Sequence, residues 1–246
     1  MNVFINTCDK YNFLWAEILK NYSKCLGDEF NNVHFYINNE VQKNEAIYDQ
    51  YTNVTFMSDI RTPKRFPINL WSQHLNSALT LLEKNNIETI LYAQDDYYVS
   101  DLNLMSKIKK NRLIFTNESL DCLHMSGQTM DYASSSNRFR AYYLNTQMAL
   151  WRTSSLKMLT QKNLNPWVWE LLGQLLYPQH LKIKRCDQDA QIDYIALIKD
   201  GMIVPEVLKI VPEQFVELLM KNCNVYNLSK YEKLRTLRKL VSQWIG

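Results

Sequence analysis

Two acidic residues, Asp95 and Asp96, follow directly on the apolar run Thr89-Ile90-Leu91-Tyr92-Ala93, with Gln94 between. Adjacent carboxylates at a strand end can bind a hard divalent cation, which in turn neutralises a diphosphate. A second polar cluster, Asn6-Thr7-Cys8-Asp9, follows the short apolar run Val3-Phe4-Ile5. A third acidic residue of interest is Glu170. It comes just after Asn165-Pro166, a pair that starts helices, and a first-turn site near the positive end of the helix dipole favours its ionised form. Stabilising its own helix is one role for Glu170, and Asp187, Asp189 and Asp193 are the alternative carboxylates. No glycine-rich phosphate loop of the dinucleotide-binding or P-loop kind occurs, so those chemistries have no support.

These clusters need elements to position them. The first half alternates strand and helix patterns. Val3-Phe4-Ile5, residues 33–37, 54–57 and 89–93 predict strands. Leu14, Trp15, Ile18, Leu19 and Tyr22 mark one helix; Leu70, Trp71, His74, Leu75, Ala78, Leu81 and Leu82 mark another. Alternation of this kind predicts a largely parallel sheet flanked by helices, which binds ligands outside the carboxyl ends of its strands. Both polar clusters fall at such ends. The second half is less regular: extended segments are expected at 120–125, 141–151 and 181–183, and helices at 154–161, 168–176, 213–221 and 229–245. His34 and His74 lie within apolar patterns and are expected to be structural.

The decapeptide Leu91-Tyr92-Ala93-Gln94-Asp95-Asp96-Tyr97-Tyr98-Val99-Ser100 resembles the DXD-type region of GT-A glycosyltransferases, especially a bacterial group that assembles surface polysaccharides. Asn6-Thr7-Cys8-Asp9-Lys10-Tyr11 is similar to that group's first nucleotide-contacting loop. Gln147-Met148-Ala149-Leu150-Trp151-Arg152, followed by Asn165-Pro166-Trp167-Val168-Trp169-Glu170, resembles its acceptor-side segment. The resemblance covers most of residues 1 to 205. It implies an α/β fold of the Rossmann-like GT-A kind, a mostly parallel sheet flanked by helices, with a C-terminal helical appendage. The expected division is a glycosyltransferase domain over 1–210 (nucleotide-sugar half 1–100, acceptor half 101–210) and the appendage over 211–246.

The implied activity is transfer of a sugar from a nucleotide-sugar, UDP-linked by resemblance, to an oligosaccharide or lipid-linked glycan of lipopolysaccharide, capsule or O-antigen. An inverting mechanism with Glu170 as base leads; a retaining mechanism needs no such base. Thr7, Cys8, Asp9, Tyr11, Arg65, Gln94 and Asp95 are the expected donor contacts, and Arg61 and Lys64 share the Arg65 loop. Asp96 and then Asp95 are the expected ligands of a divalent cation, manganese or magnesium. Gln94 stands where a strict DXD motif carries Asp, so one ligand is neutral, and His180 is the last histidine available as a further one. Trp151 and Trp167, with Trp169, are candidates for an acceptor-stacking wall, with a core role expected for at least one of the three. A sugar nucleotidyltransferase is the other enzyme reading, although its usual glycine-rich first loop is missing.

Composition bounds the rest. The 246 residues are 46% hydrophobic and 22% charged, enough for a sizeable buried core. Five cysteines without CxxC spacing suggest free thiols rather than zinc or redox chemistry. A net charge of +3 without a recognition motif gives no support to nucleic-acid binding. No apolar run reaches spanning length and the start is too short for a signal peptide, so a cytoplasmic location is expected. In residues 229–246, Leu234, Leu237, Leu240, Val241, Trp244 and Ile245 share an apolar arc, with Lys230, Lys233, Arg235, Arg238 and Lys239 supplying charge. Such a helix suits peripheral contact with an anionic membrane as well as packing on its own domain.

Overall fold

The computed structural model describes residues 1–7, 9–39, 47, 50–58, 71–126, 144–162, 164–166, 168–170, 180–199 and 201–225. Cys8, the Asp9 side chain, Arg61, Lys64, Arg65, Trp167 and the helix expected at 229–245 lie outside the described residues.

The strands are β1 (Asn2–Asn6), β2 (His34–Asn39), β3 (Val54–Ser58), β4 (Thr89–Gln94), β5 (Tyr97–Val99), β6 (Cys122–His124), β7 (Ala149–Arg152), β8 (Ile183–Arg185), β9 (Tyr194–Ala196), β10 (Ile198–Lys199) and β11 (Met202–Ile203). The α-helices are α1 (Trp15–Leu26), α2 (Trp71–Lys84), α3 (Leu104–Asn117), α4 (Thr153–Leu159) and α5 (Glu213–Asn222). Seven strands form one sheet in the order β3-β2-β1-β4-β7-β6-β8. β1, β2, β3 and β4 run parallel, β7 runs antiparallel to both its neighbours, and β6 and β8 return to the common direction.

Sequence period explains the layering. Central strands covered on both faces are apolar at every position. On β1, Val3 and Ile5 face one core and Phe4 the other; on β4, Leu91 and Ala93 share the first core, Ile90 and Tyr92 the second. The first core is closed by α1, whose Trp15, Ile18, Leu19, Tyr22, Cys25 and Leu26 make one buried stripe. α1 stops at Gly27, whose φ of 54° and ψ of −133° disfavour a residue with a Cβ. The second core is closed by α2 and α4, with Leu75, Ala78, Leu79 and Leu82 packed against Leu156, Leu159, Trp151 and Trp169. α2 ends at Asn86, left-handed at φ 58°, with the Ile87 N–H returning to the Leu82 carbonyl at 3.0 Å.

The short second sheet, β5 paired antiparallel with β9, turns the chain immediately after Asp96. α5 matches the helix expected at 213–221, one residue longer. Among the described residues no helix is long and apolar enough to cross a membrane.

Candidate active site

β2 and β3 are added on one side of β1, and β4 pairs on the other. The carboxyl ends of β1 and β4 therefore lie side by side where the strand order reverses, the place at which open α/β sheets form a ligand crevice. Asn6 stands opposite Gln94 in register, and the Asp95 N–H donates to the Asn6 carbonyl at 3.3 Å. Two polar clusters 88 residues apart in sequence thus make one constellation.

Asp95 is buried, and its Oδ2 accepts the Thr7 hydroxyl. Thr7 Oγ1 accepts the indole N–H of Trp15 at 2.7 Å. Beyond β1, the Asn6 side-chain oxygen accepts from Asn38 Nδ2 at 3.0 Å, tying the ends of β1 and β2 together. Asp96 sits in the turn between β4 and β5, where its carbonyl accepts the Leu197 N–H at 2.7 Å. Its Oδ1 is buried with no hydrogen-bond partner among the described residues. Burial pushes the Asp96 carboxyl up from 3.8 to about 7, because the charged form is the one that loses water.

A chain of contacts leads from the β4–β5 turn to Glu170. The Tyr97 and Tyr194 rings lie 4.3 Å apart, and the Tyr97 hydroxyl donates to the Thr146 carbonyl at 3.2 Å. The other groups of Thr146 are also engaged: its N–H and its hydroxyl each donate to Glu170 Oε1 at 2.7 Å. Burial raises the phenols of Tyr92 and Tyr97, with a lesser contribution from the Glu170 charge to each. The Asn165 side chain accepts the Val168 N–H at 2.8 Å, so Glu170 follows a capped helix start. Its bonds to Thr146 run across 24 residues rather than to its own helix.

The donors suit a hard cation only in part. Asp96 Oδ1 is a buried oxygen acceptor of the right kind, with Asp95 beside it. Among the described residues no group of three or more His, Cys, Asp or Glu is assembled, and His180 is exposed in a turn. Among the described residues the site therefore offers two carboxylates, and an ion here would complete its shell from other oxygens such as phosphate and water.

No protein-family model matches this sequence. No curated protein matches it either. Solved structures match by fold. TarS of S. aureus, in its 1–349 form, aligns with a TM-score of 0.52 at 14% identity, over 79% of this chain and 59% of that one. Mannosyltransferase PcManGT from Pyrobaculum calidifontis, in complex with GDP-Man and Mn²⁺, gives 0.52 at 11% identity, over 81% and 57%. An active-site mutant of LgtC gives 0.50 at 11% identity, over 92% and 85%. The fold is the GT-A fold. This chain spans 37% of another TarS structure and under two thirds of PcManGT.

Within the GT-A frame, Thr7, Gln94, Asp95 and Asp96 gather at the switch point, and Tyr11 is half-buried in the 3-10 turn that follows β1. Trp151 departs from the expectation of an acceptor surface. It is 1% exposed on β7 and packs edge-on against His124, because β7 is an interior strand between β4 and β6. Trp169 is equally buried, with its Nε1 donating to the Leu159 carbonyl at 2.8 Å. Of the alternative carboxylates, Asp189 pairs with Lys110 at 2.5 Å and Asp193 lies 3.7 Å from Lys107, both on the surface. Three residues at the site carried no sequence signal. Trp15 looks like any core position of an amphipathic helix, Thr146 precedes a strand in an irregular stretch, and Tyr194 lies in a strand of only three residues.

Proposed function

We propose that this chain transfers a sugar from a nucleotide-sugar, UDP-linked in the first instance, to an oligosaccharide or lipid-linked glycan acceptor. The observation that carries the reading is the Asp95–Asp96 pair at the switch point of a GT-A sheet, with one Asp96 oxygen buried and without a hydrogen-bond partner among the described residues. The neighbouring fold solved with GDP-Man and Mn²⁺ supports a nucleotide-sugar donor and a divalent cation.

Asp95, already fixed by Thr7, orients the donor, and Asp96 Oδ1 is the first oxygen offered to a cation, with Asp95 second. A bound manganese or magnesium ion supplies charge neutralisation for the diphosphate leaving group. Thr7 and Tyr11 line the donor side with Gln94; Cys8, Asp9 and Arg65 complete that set in this reading. Glu170, whose Oε1 accepts two bonds from Thr146, is the base in this reading. In the inverting reaction the acceptor oxygen bonds to the anomeric carbon, its proton passes to Glu170, and the bond to the diphosphate oxygen breaks with its electron pair leaving on the nucleotide. Trp167 remains the candidate aromatic surface for the acceptor. The basic, apolar-faced segment 229–246 suits an anionic membrane that presents a lipid-linked acceptor, which fits a role in surface-glycan assembly.

The test is a matched pair of variants assayed for transfer and for donor binding. Asp96→Ala removes transfer and weakens donor binding while unfolding stays cooperative. Glu170→Gln keeps donor affinity and lowers turnover by about 10²–10⁴, the usual contribution of a general base. Near-normal turnover in Asp96→Ala sinks the site. Turnover within about threefold in Glu170→Gln removes the base and leaves the retaining mechanism.

A further inference from the structure

The geometry points to Trp15 as a positioning residue for the donor carboxylate Asp95, acting through the Thr7 hydroxyl. The inference rests on the reading above, in which Asp95 contacts the donor. An indole nitrogen can only donate, so at the 2.7 Å bond Thr7 Oγ1 must be the acceptor. A hydroxyl has one proton. With Trp15 feeding its lone pair, that proton is directed at Asp95 Oδ2, which in its ionised form can only accept. The direction of the whole chain is therefore fixed from indole to hydroxyl to carboxylate.

Burial makes the arrangement effective. Trp15, Thr7 and Asp95 are 3%, 7% and 6% exposed, so water competes little for any of the three, and successive hydrogen bonds polarise one another. The indole is itself held: its ring lies 5.1 Å from that of Phe56 on β3. Trp15 opens α1 only eight residues after Thr7, so the turn between β1 and α1 folds back onto its own strand end. The start of α1 and the ends of β1 and β4 thereby meet at a single carboxylate, with Phe56 of β3 packed against the indole. The Asp95 backbone is pinned as well, by the Asn6 carbonyl. A carboxylate oriented before the ligand arrives loses little rotamer freedom on binding, so the relay acts on donor affinity more than on the chemical step. Among the described residues Asp96 has no such support at Oδ1, which divides the pair into a fixed residue and one open to a ligand.

Full-length wild type, Thr7→Val, Thr7→Ser, Trp15→Phe and the Thr7→Val/Trp15→Phe double variant are titrated with UDP, GDP and dTDP in the presence of Mn²⁺. Donor KM and kcat are measured alongside, with thermal midpoints as the folding control. Thr7→Val weakens nucleotide binding and raises donor KM by about tenfold with kcat changed less, the scale of a hydrogen bond to a charged group. Thr7→Ser, which keeps the hydroxyl, recovers most of that loss. Trp15→Phe gives a loss of several-fold, and the double variant is no worse than Thr7→Val, because Trp15 acts through Thr7. Unchanged affinity in Thr7→Val overturns the inference and leaves the function standing. A double variant that multiplies the two single losses overturns it too, since Trp15 then acts by packing. Absence of binding by wild type to all three nucleotides overturns the inference together with the reading beneath it.

Discussion

Asp95 and Asp96 are adjacent and chemically identical, yet the fold treats them differently. Asp95 is met by a hydroxyl; Asp96 is partly buried, with its Oδ1 shielded and given no partner among the described residues. The consequence is measurable. A carboxyl whose native pKa is raised favours the protonated folded state, so its contribution is intact below about 3.8 and is lost as pH rises through about 7. In the absence of cation and nucleotide, wild type should lose stability relative to Asp96→Asn as pH climbs across that window. Urea unfolding of both proteins from pH 4 to pH 8 checks it. Parallel curves would mean that Asp96 is solvated or paired. At this scale the juxtaposition of Thr7, Asp95 and Asp96 is legible in the sequence, because residue type and strand end coincide there. The sequence is uninformative where the partner is distant: nothing local marks Thr146 as the donor to Glu170. Trp151 shows the reverse difficulty, since a tryptophan suits a sugar face and a core equally well. Only its position on an interior strand assigns it to the core.

The elements best foreseen are those with a strong period. β1, β2, β3, β4 and α2 fall within a residue or two of expectation, and α1 starts where expected but runs four residues past Tyr22, since their apolar residues recur at every position or at helical spacing. α3 was not anticipated. Its buried face carries Asn111, whose side-chain nitrogen donates to the Ala190 carbonyl at 2.7 Å, while Leu113 is 65% exposed, so its apolar stripe is blurred. Within the extended segment expected at 141–151, residues 141–143 lie outside the described residues and β7 takes Ala149–Arg152, whose reversed direction depends on long-range pairing that no local pattern encodes. The segment 229–246 carries its own expectation. Deleting it should reduce sedimentation with anionic vesicles and slow transfer to a lipid-linked acceptor more than to a soluble one. Equal vesicle binding by both forms would leave that segment with a packing role alone.

At the scale of the molecule, one sheet separates two cores, and its switch point gathers the polar residues that neither core can take. That separation explains why the fold class was legible from alternating patterns while donor and acceptor were not: the sheet fixes where a ligand binds, and loop side chains decide which one. Fold likeness at 11–14% identity carries the architecture alone, so the central claim, a nucleotide-sugar site organised by Asp96, needs its own measurement. The most direct is thermal unfolding of wild type and Asp96→Ala against a panel of UDP-, GDP-, CMP- and dTDP-sugars, each with and without Mn²⁺. A ligand present at about 100 times its Kd stabilises the native state by about 2.7 kcal/mol, a shift of several degrees for a chain of this size. The account predicts such a shift for one nucleotide class in wild type, with UDP-sugars first, and its loss in Asp96→Ala. No shift with any member of the panel, or an equal shift in both proteins, would contradict it.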